Sequence, residues 1–221
     1  GRQCLQARSH DNFLGSIRTL FKFAKGRGYL PKDHDELDSV EFIDEGKGEI
    51  EIFTPAEMSR MLQAASDDFR PCLAIAAFSG IRSAEIERLQ WSDVNLNNGE
   101  PFIKIVAGKA KTGSRRIVPV IPSLSAWLSP VAVKSGKVWP HGHAYFYEQM
   151  REVSKACRVP WKRNALRHSF ISYRLAEIRD AARVALEAGN SPKMIFQHYR
   201  ELVTAEEAKE WFSIRPAGGG E

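Results

Sequence analysis

Helix-start signals recur along the chain and leave little room for extended strands. Thr54-Pro55-Ala56-Glu57 combines a capping threonine, a proline suited to the first turn and a glutamate three residues after the cap. Ser191-Pro192 and Thr204-Ala205-Glu206-Glu207 repeat this pattern. With apolar residues at helical spacing, the chain predicts helices at 11–25, from 54, and at 69–78, 82–89, 123–128, 144–157, 164–178, 181–188, 192–197 and 205–212.

Two short runs interrupt this helical pattern. Residues 102–106 (Phe-Ile-Lys-Ile-Val) and 116–120 (Arg-Ile-Val-Pro-Val) are rich in β-branched residues, and a Gly- and Lys-rich connection joins them. Such a pair predicts a small hairpin. The expected fold class is therefore mainly α with a small antiparallel β-sheet (α+β).

The first 53 residues differ from the rest. After the helix at 11–25, residues 31–53 are charged and contain Pro31, Gly46 and Gly48, which is typical of a linker. We expect a main domain at 54–213, and a flexible tail at 214–221 that contains Gly218 to Gly220.

Composition excludes several classes of protein. The chain has 221 residues, 43% of them hydrophobic, which is enough for a real core. No run approaches the roughly 18 apolar residues of a membrane span, and no signal-peptide core is present. Three distant cysteines argue against a disulfide framework and for a cytoplasmic location. His141-Gly142-His143 with Cys157 matches no common zinc spacing, so we expect neither metal nor cofactor.

The net charge of +5 is unevenly distributed. Nine Lys or Arg residues face three acids between Arg151 and Arg183, and five basic residues and no acid lie between Lys104 and Arg116. Nine acids and one lysine lie between Asp33 and Glu51. Basic clusters of this kind favour a nucleic-acid partner, although a solvated charged face would explain either cluster alone.

One set of residues indicates a candidate catalytic site. Asn164-Ala165-Leu166-Arg167-His168 precedes Gly189-Asn190 and His198-Tyr199, and Ser79-Gly80-Ile81-Arg82-Ser83-Ala84-Glu85 lies far upstream. This order resembles the tyrosine recombinases, the phage integrase family, whose pattern is Arg, Lys, His-x-x-Arg, a His or Trp, and a nucleophilic Tyr nine residues later. Asn190 to Tyr199 is nine residues and Asn164 to Arg167 is three. Asn164 and Asn190 depart from the family's usual residues.

The resemblance implies a role for each position. Tyr199 would attack phosphorus, Arg82 and Arg167 would clamp the phosphate, and a hairpin lysine, Lys111, with Lys109 as its near competitor, would protonate the leaving oxygen. Asn164 and Asn190 would complete the catalytic set, able to donate hydrogen bonds but not to exchange protons near neutral pH. Glu85 and His168 would contact the catalytic residues and hold them in position. Further basic residues would contact DNA: Lys109, Arg115, Arg116, Lys162 and Arg163.

The resemblance also implies an activity: cleavage and rejoining of double-stranded DNA through a covalent 3′-phosphotyrosyl intermediate, without metal or ATP. The chain would act as a homo-oligomer on DNA, a tetrameric synapse, assembled through its C-terminal segment. Residues 1–30 resemble the end of the family's α-helical core-binding domain, most of which would then be missing from this chain. Two other functions stay open: a catalytically degenerate DNA-binding or regulatory relative, and a type IB topoisomerase.

Overall fold

The computed structural model describes residues 7–43, 50–97, 99–106, 115–199 and 202–217. Its contacts divide the chain into two compact units, Gly1–Glu49 and Ile50–Glu221. Helix α1 (Ala7–Gly26) begins one turn before its predicted start. Within the first unit, Arg18 donates hydrogen bonds to the carbonyl oxygens of Leu37 and Val40, so the segment predicted as a linker folds back on α1.

The second unit begins earlier than the sequence indicated. Phe53 is fully buried: its amide donates to Ser169 Oγ at 2.8 Å, and its carbonyl accepts from Tyr173 Oη at 2.9 Å. The unit's first residue is Ile50 rather than Thr54.

Helices make up most of this second unit. Helix α2 begins with the predicted capping box, in which Thr54 Oγ1 accepts from the Glu57 amide at 3.2 Å. The helices are α2 (Pro55–Ala64), α3 (Arg70–Ser79), α4 (Ser83–Ile86), α5 (Pro122–Leu128), α6 (His143–Cys157), α7 (Ala165–Ile178), α8 (Ala181–Ala188), α9 (Pro192–Tyr199) and α10 (Ala205–Ser213). None of the described helices is long and apolar enough to cross a membrane.

The sheet is small and antiparallel, with strand order β1 (Val94–Asn95), β2 (Phe102–Ile105), β3 (Arg116–Pro119). Ile103 pairs with Val118, and both are fully buried. The predicted hairpin is present, and β1 adds a short third strand that the sequence did not predict. The fold class, mainly α with a small antiparallel sheet, is confirmed.

Helix α10 packs into the unit's own core. The Trp211 ring is fully buried and stacks on Tyr173 with centroids 4.4 Å apart, and Trp211 Nε1 donates to the Ala77 carbonyl at 3.2 Å. Trp211 therefore covers the core of its own unit. Ile214, predicted to begin the flexible tail, is also buried, whereas residues 218–221 lie outside the described residues.

A second, smaller apolar cluster joins α7, α8 and α9. Its buried members are Phe170, Ile171, Val184, Ala185, Ala188, Ile195 and Tyr199. This packing brings the last residue of α9 against the first turns of α7.

Candidate functional site

A tight turn between α3 and α4 positions Arg82. Gly80 ends α3 in the left-handed conformation (φ +62°), and a Cβ there would lie 2.4 Å from Cδ1 of Phe170. Only glycine fits this turn without strain and without a clash. Arg82 follows at the start of α4, where its amide donates to Glu85 Oε2 at 3.0 Å.

Glu85 joins Arg82 to a second arginine. Its side chain is 2% exposed and receives two hydrogen bonds from Arg116, at 3.0 and 2.7 Å, while Arg82 Nη1 lies 3.5 Å from Oε1. Burial alone would raise the pKa of Glu85, but the hydrogen bonds and charges of Arg116 and Arg82 outweigh it and lower that pKa. Glu85 therefore contacts both Arg82 and Arg116.

Arg116 was expected to contact DNA, yet the structure places it inside the site. Its side chain is 8% exposed, and its Nε donates to the Glu187 carbonyl at 3.2 Å. A bidentate pair with Glu85 fixes the plane of the guanidinium. Sequence analysis missed this role because the partner lies 31 residues away and leaves no local signal.

Arg167 brings a third guanidinium from α7. Nη1 donates to the Gly80 carbonyl at 2.5 Å, and Nη2 donates to Asn190 Oδ1 at 2.9 Å. Burial, together with the positive charges of Arg82 and Arg116, lowers the pKa of Arg167 to about 10. The Arg167 guanidinium is still a cation at neutral pH, and it lies close enough to Arg82 and Arg116 for their charges to lower its pKa.

Backbone carbonyls at the end of α8 bind Arg82 and Arg116. Gly189 is left-handed (φ +65°), and its carbonyl accepts from Arg82 Nη2 at 2.8 Å. A Cβ there would lie 3.1 Å from Cζ of Arg116. Two residues earlier in the same helix end, the Glu187 carboxylate binds Arg174 at 2.9 and 3.0 Å, so the segment is anchored to α7.

Tyr199 lies at the end of α9, in contact with His168 on α7. His168 Nδ1 is 2.6 Å from Tyr199 Oη. The Tyr199 side chain is buried, and burial raises the pKa of its hydroxyl against a smaller opposing effect of the Arg167 charge. Burial, and then the Arg167 charge, lowers the pKa of His168. His168 was expected to support the catalytic residues, and in the structure it contacts Tyr199, the candidate nucleophile.

The remaining predicted residues have different surroundings. Asn164 is exposed and left-handed (φ +56°) at the start of α7, and its side chain makes no capping hydrogen bond. Lys162 donates to the Ile52 carbonyl at 2.8 Å, and its ammonium group lies 5.2 Å from the centre of the Phe53 ring. Arg115 and Arg163 are exposed. Lys109 and Lys111 lie outside the described residues.

Neither histidine of the 141–143 segment belongs to a metal cluster. His141 lies 3.1 Å from Asp68 and His143 lies 2.7 Å from Glu87. Across the described part of the chain, no group of three or more His, Cys, Asp or Glu residues is arranged to hold a metal ion.

The arrangement as a whole suits an anion beside a nucleophile. Three guanidinium groups converge, with one buried carboxylate to offset part of their charge, and a tyrosine hydroxyl lies close enough for its pKa to respond to one of them. Guanidinium forks match phosphate oxygens and stay protonated. Such a site can bind a phosphodiester and present a phenol to it.

The chain belongs to the phage integrase family, the tyrosine recombinases. The model of the phage integrase family matches residues 51–184, which include Arg82, Arg116 and Arg167 and end before Asn190 and Tyr199. A relative in Escherichia coli (strain K12) is IntQ, whose name classes it provisionally as a defective protein; it is 21% identical over 132 residues, 56% of this chain. The chain spans about a third of the length of that relative (33%).

Solved structures share the fold. A lambda integrase fragment, crystallised as a dimer bound to a COC′ core site, superposes with a TM-score of 0.70 at 16% identity over 89% of this chain and 75% of that one. The XerH recombinase bound to its difH substrate before cleavage gives 0.61 at 21% identity, over 96% and 67%. XerA recombinase gives 0.58 at 16% identity, over 94% and 82%.

Proposed function

We propose that this protein cleaves and rejoins double-stranded DNA through a covalent 3′-phosphotyrosyl intermediate formed on Tyr199. The observation that carries the proposal is the convergence of Arg82, Arg116 and Arg167 beside a buried tyrosine hydroxyl that already has a hydrogen-bond partner. Family membership supports the same chemistry.

Each residue has a defined task in this reaction. Arg82 and Arg167 hold the non-bridging oxygens of the scissile phosphate and stabilise the charge that develops there. Arg116 and Glu85 fix the position of Arg82. Asn190 orients Arg167 through its Oδ1. Tyr199 attacks phosphorus, and Lys111 protonates the departing 5′ oxygen, with Lys109 as its near competitor. A second strand's 5′ hydroxyl then releases Tyr199, so that neither metal nor ATP is needed.

The DNA contacts outside the site come from the exposed Arg115 and Arg163, together with Lys109; Lys162, turned to the Ile52 carbonyl, contributes less. The lambda integrase and XerH relatives were solved on DNA, which supports a duplex as the partner. We also propose that the active form is a homo-oligomer on DNA, a tetrameric synapse. The protein works in the cytoplasm, at the nucleoid.

A catalytically degenerate DNA-binding relative is the second candidate. Its evidence is the pair of asparagines: Asn164 is exposed, and Oδ1 of the Asn190 side chain accepts a hydrogen bond from Arg167. Amides at both positions leave the phosphate-binding geometry in place while removing two groups that exchange protons. The defective status in the name of IntQ agrees with this reading.

A suicide substrate separates the candidates. Duplex DNA with a nick beside the cleavage site loses its leaving strand, so a covalent adduct accumulates and survives denaturation. We expect an adduct with the unmodified chain and none with Tyr199→Phe, while both bind DNA equally. If DNA is bound but no adduct forms on any substrate, the protein is a binding relative. Relaxation of supercoils without strand exchange would indicate a topoisomerase.

A further inference from the structure

His168 and Tyr199 are in hydrogen-bond contact. Nδ1 and Oη are 2.6 Å apart, and the two ring centroids are 5.6 Å apart with the planes tilted by 37°. The two residues lie on different helices, α7 and α9, which the second apolar cluster holds together. The distance is within the range that general acid–base transfer requires.

The protonation states of the two groups suit such a transfer. Burial and the Arg167 charge lower the pKa of His168, so its imidazole is neutral at pH 7 and able to accept a proton. Burial raises the pKa of Tyr199, so the phenol does not ionise without help. The nucleophile therefore needs a base, and a neutral base is in contact with it.

We propose that His168 is the general base that activates Tyr199, an inference that rests on the proposed cleavage reaction. The Tyr199 hydroxyl proton passes to His168 Nδ1 while the phenolate oxygen forms its bond to phosphorus. The bond from phosphorus to the 5′ oxygen breaks, and that oxygen takes its proton from Lys111. In the rejoining step the 5′ hydroxyl of the incoming strand gives its proton to the now neutral Lys111 amine and forms its bond to phosphorus. The bond from phosphorus to the tyrosine oxygen breaks, and the imidazolium returns its proton to that oxygen.

The two asparagines leave this task to His168. An amide cannot take up a proton near neutral pH. Asn164 is exposed at the start of α7, and Asn190 accepts from Arg167. His198, the residue before Tyr199, makes no hydrogen bond to the tyrosine hydroxyl within the described part of the chain. His168 is thus the proton-exchanging group that touches Oη.

His168→Asn tests the proposal. Asparagine keeps an acceptor near the position of Nδ1 but cannot exchange a proton. We expect single-turnover adduct formation on saturating nicked DNA to fall by about 10²- to 10⁴-fold with little change in DNA affinity. His198→Asn is the matched control, the same substitution one residue from Tyr199, and should leave the rate unchanged.

Two further measurements isolate the base from the acid. A 5′-bridging phosphorothiolate releases a thiolate that departs without protonation, so it should rescue Lys111→Ala but not His168→Asn. The charged or titratable groups that the described structure places against His168 are Arg167 on its own helix and Tyr199 on α9. The unmodified chain should therefore lose cleavage rate on acidification below pH 6.5, the ordinary pKa of histidine, and His168→Asn should lack this dependence.

The outcomes separate the two proposals. No adduct from the unmodified chain on either substrate overturns the proposed function. If the adduct forms equally fast with His168→Asn, or if the phosphorothiolate substrate restores the rate of that variant, the proposed role of His168 is overturned. The proposed function is unaffected by either result. The pH profile of the unmodified chain decides the question even if the variant does not fold, because a rate that is flat below pH 6.5 excludes a histidine base.

Discussion

The two halves of the site are held in different ways. In the arginine cluster (Arg82, Arg116 and Arg167 with Glu85), each guanidinium donates to two protein groups, which come from the α3–α4 turn, α4 and the end of α8. In the tyrosine pair (His168 and Tyr199), the hydroxyl has a single hydrogen bond among the described residues.

Because the two halves are held differently, substitutions in the arginine cluster and in the tyrosine pair should have different effects. Because the cluster's partners are backbone carbonyls, a buried carboxylate and the amide oxygen of Asn190, its geometry is part of the fold. A change there should cost stability as well as phosphate binding. The tyrosine pair depends on helix packing and one contact, so a change there should affect the rate and leave the fold intact. Substitutions in each half can test this division.

The largest effect on stability is expected from Glu85→Gln. This change leaves the buried Arg116 and its neighbour Arg82 without a counter-charge, which typically costs about 3–5 kcal/mol in unfolding free energy. Denaturant unfolding of the second unit measures it. Glu206→Gln, which removes an exposed pair with Lys209, should cost less than about 1 kcal/mol.

The stability difference between the unmodified chain and Glu85→Gln should depend on pH. The pKa of Glu85 lies below its ordinary value of 4.5 in the folded protein, so its contribution is complete above that value and is lost as the pH falls through the lower folded pKa. The stability gap between the unmodified chain and Glu85→Gln should therefore narrow only in acid, below about pH 4.5. A gap that is absent at pH 7 would show that the arginines do not need the carboxylate.

A smaller effect is expected from Gly189→Ala. The left-handed backbone costs a Cβ-bearing residue about 1–2 kcal/mol, and the new methyl group would lie 3.1 Å from Arg116 Cζ. We expect this loss of stability together with slower adduct formation, because Arg116 and the Arg82 contact must shift. Gly136→Ala, also at positive φ but with no atom within 4 Å of its Cβ, should lower stability without changing the rate. Equal rates for both variants would contradict a functional role for the Gly189 geometry.

Local signals predicted most of the fold, and long-range contacts account for what was missed. The capping residues Thr54 and Thr204 begin their helices as the sequence indicated. Strand β1 escaped prediction because two residues, Val94 and Asn95, carry no alternating pattern and become a strand only by pairing with β2. The cluster and the pair likewise depend on partners about 30 residues away, Arg116 on Glu85 and Tyr199 on His168. The tertiary packing of different elements brings these partners together, and local sequence does not show it.

The smallest effect is expected from Asn164→His, which would add a proton-exchanging group three residues before Arg167. Histidine tolerates the left-handed conformation at this exposed position, so the fold should be unaffected. We expect faster adduct formation, by about tenfold at most, since a base already contacts Tyr199. Asn164→Gln, which exchanges no proton, controls for the loss of asparagine. An unchanged or lower rate would mean that proton transfer at residue 164 was not limiting.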